Sequence, residues 1–154
     1  MEYESIEREL RIDATPEVVY EVISSPEHLR EWWPDEAALD PVPGATGAIT
    51  FGDPASPDAT VVALTVLEAD PPRRFAFRWV YDEGESAAPD NSLLVTFELV
   101  PSGDSTLLRF KETGFRERGW EAAVLEETYQ DHVRGWDHFL PRLVAYAPTV
   151  AVAS

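Results

Sequence analysis

Residues Phe75, Phe77, Trp79 and Tyr81 alternate with Ala76, Arg78 and Val80. A period of two marks a β-strand, whose side chains point to opposite faces in turn. Four large aromatics on one face make an unusually large apolar wall, and any fold of this chain has to cover it with another layer.

The other strands follow the same logic. Ile6, Arg8, Leu10 and Ile12 share one face of a first strand. Residues 48–52 read as a short strand, and residues 60–67 as one rich in β-branched residues. Leu93, Val95, Phe97 and Leu99 share a face. So do Thr106, Leu108, Phe110 and Glu112 after a turn in which Gly103–Asp104 supplies positive φ.

Two helices are expected between the first strand and the rest. Thr15 caps one, with Pro16 at its first position and a stripe of Val18, Val19, Val22 and Ile23. Pro26 starts a second, short helix that ends in Trp32 and Trp33. Residues 34–47, rich in Pro and Gly, read as a loop, and residues 83–91 as a polar hairpin loop. A last helix is expected over residues 120–146, with Val133, Trp136, Phe139, Leu140, Leu143 and Val144 as its apolar stripe. Pro141 lies inside that stripe and is expected to kink or restart the helix. Residues 148–154 are expected to fray.

This order predicts an α+β fold in which a curled antiparallel sheet of about six strands wraps the C-terminal helix. The chain of 154 residues suits one domain, over residues 1–147.

The charge narrows the partners. With 12 basic and 29 acidic side chains the net charge is −17, a field that repels nucleic acids and anionic membrane surfaces. There are no cysteines, so disulfides, thiolate metal sites and thiol nucleophiles are excluded. No signal-peptide pattern or spanning apolar run is visible, and the cytoplasm is the expected location.

Four pieces carry a family resemblance: RIDATPEVVYEVISSPEHLREWW, LEADPPRRFAFRW, SLLVTFELVPSGDSTLLRFKETGF and GWDHFLPRLVAY. In this order, from Tyr3 to Tyr146, they resemble the START-like (SRPBCC) superfamily with its helix-grip fold. Within it the chain is similar to the activators of the heat-shock-protein-90 ATPase, in their stand-alone bacterial form. Pro141 departs from the uninterrupted helix that the resemblance implies. The resemblance also implies enclosed space between sheet and helix, although packing in the core is the commoner role for any single aromatic.

The candidate cavity residues are therefore the inward-facing ones. Phe75, Phe77, Trp79 and Tyr81 come from the aromatic strand, and Val95 and Phe97 from the next. Leu108, Phe110 and Glu112 come from the last strand, and His132, Trp136 and Leu140 from the helix. Trp32 and Trp33 complete the set: one indole is expected to plug the core and the other to face the cavity mouth, with a purely structural staple as the alternative. Gly135 either lets the helix approach the sheet or leaves room beside Trp136.

Glu112 is the notable charge. Its strand-end position favours solvent or an arginine partner; the alternative is a buried carboxylate that binds a ligand's polar end or moves protons. Arg78 is expected on the outer face of the sheet. His28, His132 and His138 show no metal spacing, and structural or surface roles are expected for them. Asp131–His132 suggests a dyad, but no nucleophile motif or phosphate loop accompanies it. No catalytic residue, metal or cofactor is called for.

The leading functional expectation is non-catalytic binding of a hydrophobic or aromatic small molecule. The alternatives are a co-chaperone or stress-response module with a chaperone or other protein partner, and a cyclase- or hydrolase-type enzyme using the same cavity.

Overall fold

A computed structural model describes residues 5–33, 35–52, 57, 60–80, 92–114 and 122–153. The elements run β1 (Ser5–Ile12), α1 (Pro16–Ser24), α2 (Pro26–Trp32), β2 (Glu36–Ala38) and β3 (Thr46–Phe51). They continue with β4 (Thr60–Asp70), β5 (Arg74–Val80), β6 (Ser92–Ser102), β7 (Ser105–Thr113) and α3 (Ala122–Ala153). The strands form one antiparallel sheet in the order β1-β7-β6-β5-β4-β3-β2. This is the expected α+β helix-grip fold, a curled sheet around a long C-terminal helix.

Local chemistry sets the helix starts. The Thr15 hydroxyl accepts from the Val18 N–H, and Pro16 fills the first position, where an N–H has no partner to lose. Ser25 ends α1 by donating its N–H to the Glu21 carbonyl, and Pro26 then opens α2. These two helices carry the chain from β1 at one edge of the sheet to β2 at the other.

The seventh strand, β2, lies inside the segment read as a loop. Its Glu-Ala-Ala sequence has little β-propensity, and only pairing with β3 makes it a strand. The next turn is tight. A Cβ on Gly47 would overlap the Ala38 carbonyl oxygen and come within 2.6 Å of Leu39 Cβ. Gly47→Ala is therefore expected to cost about 2 kcal/mol or more in chemical denaturation, by overpacking against backbone.

β4 continues three residues beyond its expected end, to Asp70. A bulge between Val66 and Glu68 turns Leu67 outward, where it is 46% exposed. On the outer face, Glu9, Arg109, Glu98, Arg74 and Glu68 form an exposed ionic ladder across five strands. Such pairs contribute about 0–1 kcal/mol each. Arg78 is half-buried and faces away from Phe77 and Trp79, as alternation requires.

α3 neither restarts at Pro141 nor stops near Tyr146; it is one 32-residue helix containing Pro141 and Pro148. Leu140, Leu143 and Ala147 are buried on either side of Pro141, and Val150 packs against the core. That burial holds the helical path against the proline penalty, and the tail expected to fray is helical to Ala153. Polar anchors add to it. Arg8 on β1 makes two hydrogen bonds to Asp137, at 2.9 and 3.2 Å, and Tyr129 donates to the Ser5 carbonyl at 2.8 Å. Among the described residues no helix is long and apolar enough to cross a membrane.

Candidate ligand-binding cavity

The concave face of the sheet is filled unevenly. At one end α1 and α2 press into it. Tyr20 of α1 meets Phe75 edge-on at 6.0 Å, and Trp32 of α2 meets Phe97 edge-on at 6.5 Å. Phe75, Val95, Phe97, Leu108, Phe110 and Leu140 are buried in the core, Phe110 against Trp136 of α3 with ring centroids 4.5 Å apart. Burial pushes the Tyr20 hydroxyl above its ordinary pKa, and Asp70 adds to the effect.

The tandem tryptophans divide their work through a change of backbone at the helix end. Trp32 is the last helical residue, and Trp33 leaves helical geometry at φ −122°, ψ −97°. The two indoles can then stack, at 5.9 Å and 20°, instead of pointing about 100° apart as neighbours on a helix do. Trp32 is the plug: it is fully buried and donates its Nε1–H to the Val22 carbonyl at 3.0 Å. Trp33 is 4% exposed and reaches Phe77, Trp79 and Trp136, with ring centroids 5.1–5.7 Å away.

Beside Trp33 the sheet and α3 part. They leave a cavity of about 230 Å³, lined by Trp33, Phe51, Val62, Trp79, Asp131, His132, Gly135, Trp136 and Phe139. Four expected residues are among these: Trp33, Trp79, His132 and Trp136. Phe77 and Glu112 lie behind the wall, and Tyr81 is outside the described residues. Gly135 leaves room; it does not serve a close approach, since a Cβ there meets nothing within 4 Å. Phe51 and Val62 were not anticipated as lining residues. Their inward parity on β3 and β4 is readable, but their reach across to Phe139 (Phe51–Phe139, 6.1 Å) depends on the sheet's curl.

Glu112 closes the floor, and the expectation of a wet strand end fails for it. β7 is interior to the sheet: Glu112 pairs with Ile6 of β1 and Val95 of β6. With α3 above, its side chain is 0% exposed. Oε2 accepts from Trp79 Nε1–H at 2.9 Å, and Oε1 accepts from Trp136 Nε1–H at 2.9 Å. His132 Nδ1 lies 2.7 Å from Oε1. With Glu112 as a carboxylate, which can only accept, Nδ1 carries the proton of that bond. A buried carboxylate is costly unless donors meet its lone pairs, and three do so here.

Among the described residues His132 meets Glu112, while the adjacent Asp131 is exposed and lies 3.5 Å from Arg134. Because both indole N–H groups are turned onto Glu112, Trp79 and Trp136 offer the cavity carbon surface. The floor is polar underneath and apolar on top.

The other histidine contacts are remote. His28 Nδ1 lies 2.7 Å from the Tyr146 hydroxyl, tying α2 to α3. Its ring also groups with Glu21 and Glu27 at the surface. Spacing of histidines alone did not show that grouping.

A family model described as Activator of Hsp90 ATPase homolog 1-like protein matches residues 13–147. The chain belongs to this family. No curated protein matches it. Among solved structures, protein MLL2253 from Mesorhizobium loti is 20% identical with a TM-score of 0.72, over 92% of this chain and 94% of that one. Protein NE0264 from Nitrosomonas europaea is 15% identical with a TM-score of 0.73, over 96% of both chains. DynU16, a protein in the dynemicin biosynthetic locus, is 19% identical with a TM-score of 0.71 over 96% of this chain. The chain spans about half the length of DynU16, covering 48% of it. At these identities the structures show a shared fold. Within the Activator of Hsp90 ATPase homolog 1-like family, the cavity described above is therefore characterised by its own residues.

Proposed function

We propose that this chain is a non-catalytic binding module that holds a hydrophobic or aromatic small molecule between the sheet and α3. One observation carries the reading: a cavity of about 230 Å³ whose wall holds five aromatic rings, with the indole N–H groups of two of them already satisfied underneath. Ligand pockets are mostly apolar, with a few placed polar groups, and a void of about 150 Å³ already suffices for benzene. By that proportion the present cavity suits roughly ten non-hydrogen atoms. DynU16, whose fold the chain shares, is a protein in the dynemicin biosynthetic locus, which agrees with a small-molecule role.

Naphthalene is a suitable neutral probe. Its binding is expected in calorimetry and to be lost in Gly135→Leu, whose side chain has open space to enter. Gly135→Ala should raise stability by up to about 1 kcal/mol through helix propensity. Equal naphthalene binding by wild type and Gly135→Leu would refute this placement of the ligand.

A second reading, acid–base chemistry in the same cavity, draws on His132 lining the wall with Glu112 fixed behind it. It requires a substrate whose turnover falls in His132→Asn while binding persists. The family description equally admits a protein partner, for which stimulation of a chaperone ATPase is the discriminating assay.

A further inference from the structure

His28 sits where the three helices meet, remote from the cavity. It follows Pro26 and Glu27 in the first turn of α2. Its ring is mostly covered, with 17% of the side chain exposed. Nδ1 lies 2.7 Å from the Tyr146 hydroxyl of α3, which holds the ring in one orientation. The other nitrogen, Nε2, then faces Glu21 of α1, whose Oε1 is 3.7 Å away. One ligand atom from each of Glu21, Glu27 and His28 lies within 4.8 Å of the others.

The spacing is wrong for a hydrogen bond and right for an ion. At 3.7 Å, Nε2 and Oε1 are too far apart to share a proton. Two ligands of one tetrahedral ion, each about 2.1 Å from it, stand roughly 3.4 Å apart. Bringing in the third ligand needs only rotation of Glu27, an exposed side chain. The surrounding charge agrees. Burial pushes the Tyr146 hydroxyl above its ordinary pKa, and Glu31, Glu27 and Glu21 add to the effect, which marks a local excess of negative charge. The nearby arginines are engaged elsewhere: Arg30 faces Glu36 at 3.7 Å, and Arg142 donates to the Glu31 carbonyl at 3.3 Å.

The donor set selects the ion. An imidazole nitrogen with two carboxylate oxygens suits zinc and its neighbours in the first transition row, whereas magnesium and calcium take oxygen ligands. Two carboxylates also balance a divalent charge. A ligating histidine donates its second ring N–H to an outer partner, and the Tyr146 hydroxyl is placed to accept it. We propose that Glu21, Glu27 and His28 form a zinc-class divalent metal site. The Tyr146 hydroxyl steadies the imidazole from behind, and the ion staples α1 to α2 and both to α3.

The test titrates zinc into chelator-treated protein by calorimetry. One site per chain is expected, with a micromolar Kd, and magnesium and calcium should bind at least about tenfold more weakly. Glu27→Gln, a change at an exposed position, should weaken zinc at least about tenfold and leave the unfolding midpoint of the zinc-free protein unchanged. Tyr146→Phe, which takes away no ligand, should weaken it about tenfold. His28→Gln should abolish binding. In 1H–15N spectra of the histidine rings, zinc should move the His28 Nε2 signal and leave His132 and His138 still. Absence of zinc binding, zinc binding undiminished in Glu27→Gln and His28→Gln, or a response confined to the other histidines would overturn the site. Magnesium or calcium binding as tightly as zinc would also overturn it, by showing an acidic surface that attracts any divalent ion.

Discussion

Glu112→Gln should destabilise the protein by about 3 kcal/mol, read as a drop in chemical-denaturation free energy. The cause is donor geometry. Three donors converge on the two Glu112 oxygens: Trp79 on one, Trp136 and His132 on the other. Glutamine keeps one acceptor and replaces the other with an NH2 group. If the carbonyl faces Trp79, the amide points at Trp136 N–H; if it faces Trp136, the amide points at Trp79 N–H. Each arrangement leaves a buried donor unmet, which costs about 1–3 kcal/mol, and the charge that strengthened the remaining bonds is gone. Glu112→Ala should cost still more, since it abandons all three donors. A loss under about 1 kcal/mol in Glu112→Gln would mean that the carboxylate is not the keystone of the floor.

Trp33→Ala should cost about 4 kcal/mol, within the range for removing a buried tryptophan. Trp33 is packed among Trp32, Phe51, Phe77, Trp79 and Trp136. Its removal joins a new void to the existing cavity, and the rigid elements around it can close only part of the gap. Naphthalene binding should weaken even where the variant remains folded, because the site becomes larger and wetter. Trp33→Phe should recover more than half of the stability and part of the binding. Denaturation of both variants checks the first statement and calorimetry the second; a Trp33→Ala variant as stable as the parent would contradict the packing described.

How far such features can be read in the sequence depends on the range of the contacts that make them. Strand parity placed Phe75, Phe77, Trp79, Leu108, Phe110 and Glu112 on one face, because alternation is local. What Glu112 does there is not local. Its donors come from β5, 33 residues before it, and from α3, 20 and 24 residues after it, and nothing in the strand announces them. The sequence neighbour Asp131 was a plausible partner for His132, but the helix turns it outward. Similarly, α1 and α2 fill the end of the sheet over Phe75 and Phe97, so an inward aromatic is core at one end and cavity wall at the other. Trp32 and Trp33 were legible as an anomaly, and the departure of Trp33 from helical geometry resolves it. β2 was invisible because Glu36–Ala38 lacks β-formers, and Pro141 misled because packing of Leu140, Leu143 and Ala147 outweighs its local penalty.

The central claim is that the space between Trp33, Trp79, Gly135 and Trp136 receives a ligand. Its most direct test is a naphthalene titration followed by 1H–15N NMR, reading backbone amides and tryptophan indoles together. Saturable shifts are predicted for the Trp33, Trp79 and Trp136 indole signals and the Gly135 amide. The Trp32 indole, bonded to the Val22 carbonyl, should stay nearly still. Shifts confined to other residues, or none at saturating probe, would contradict the account.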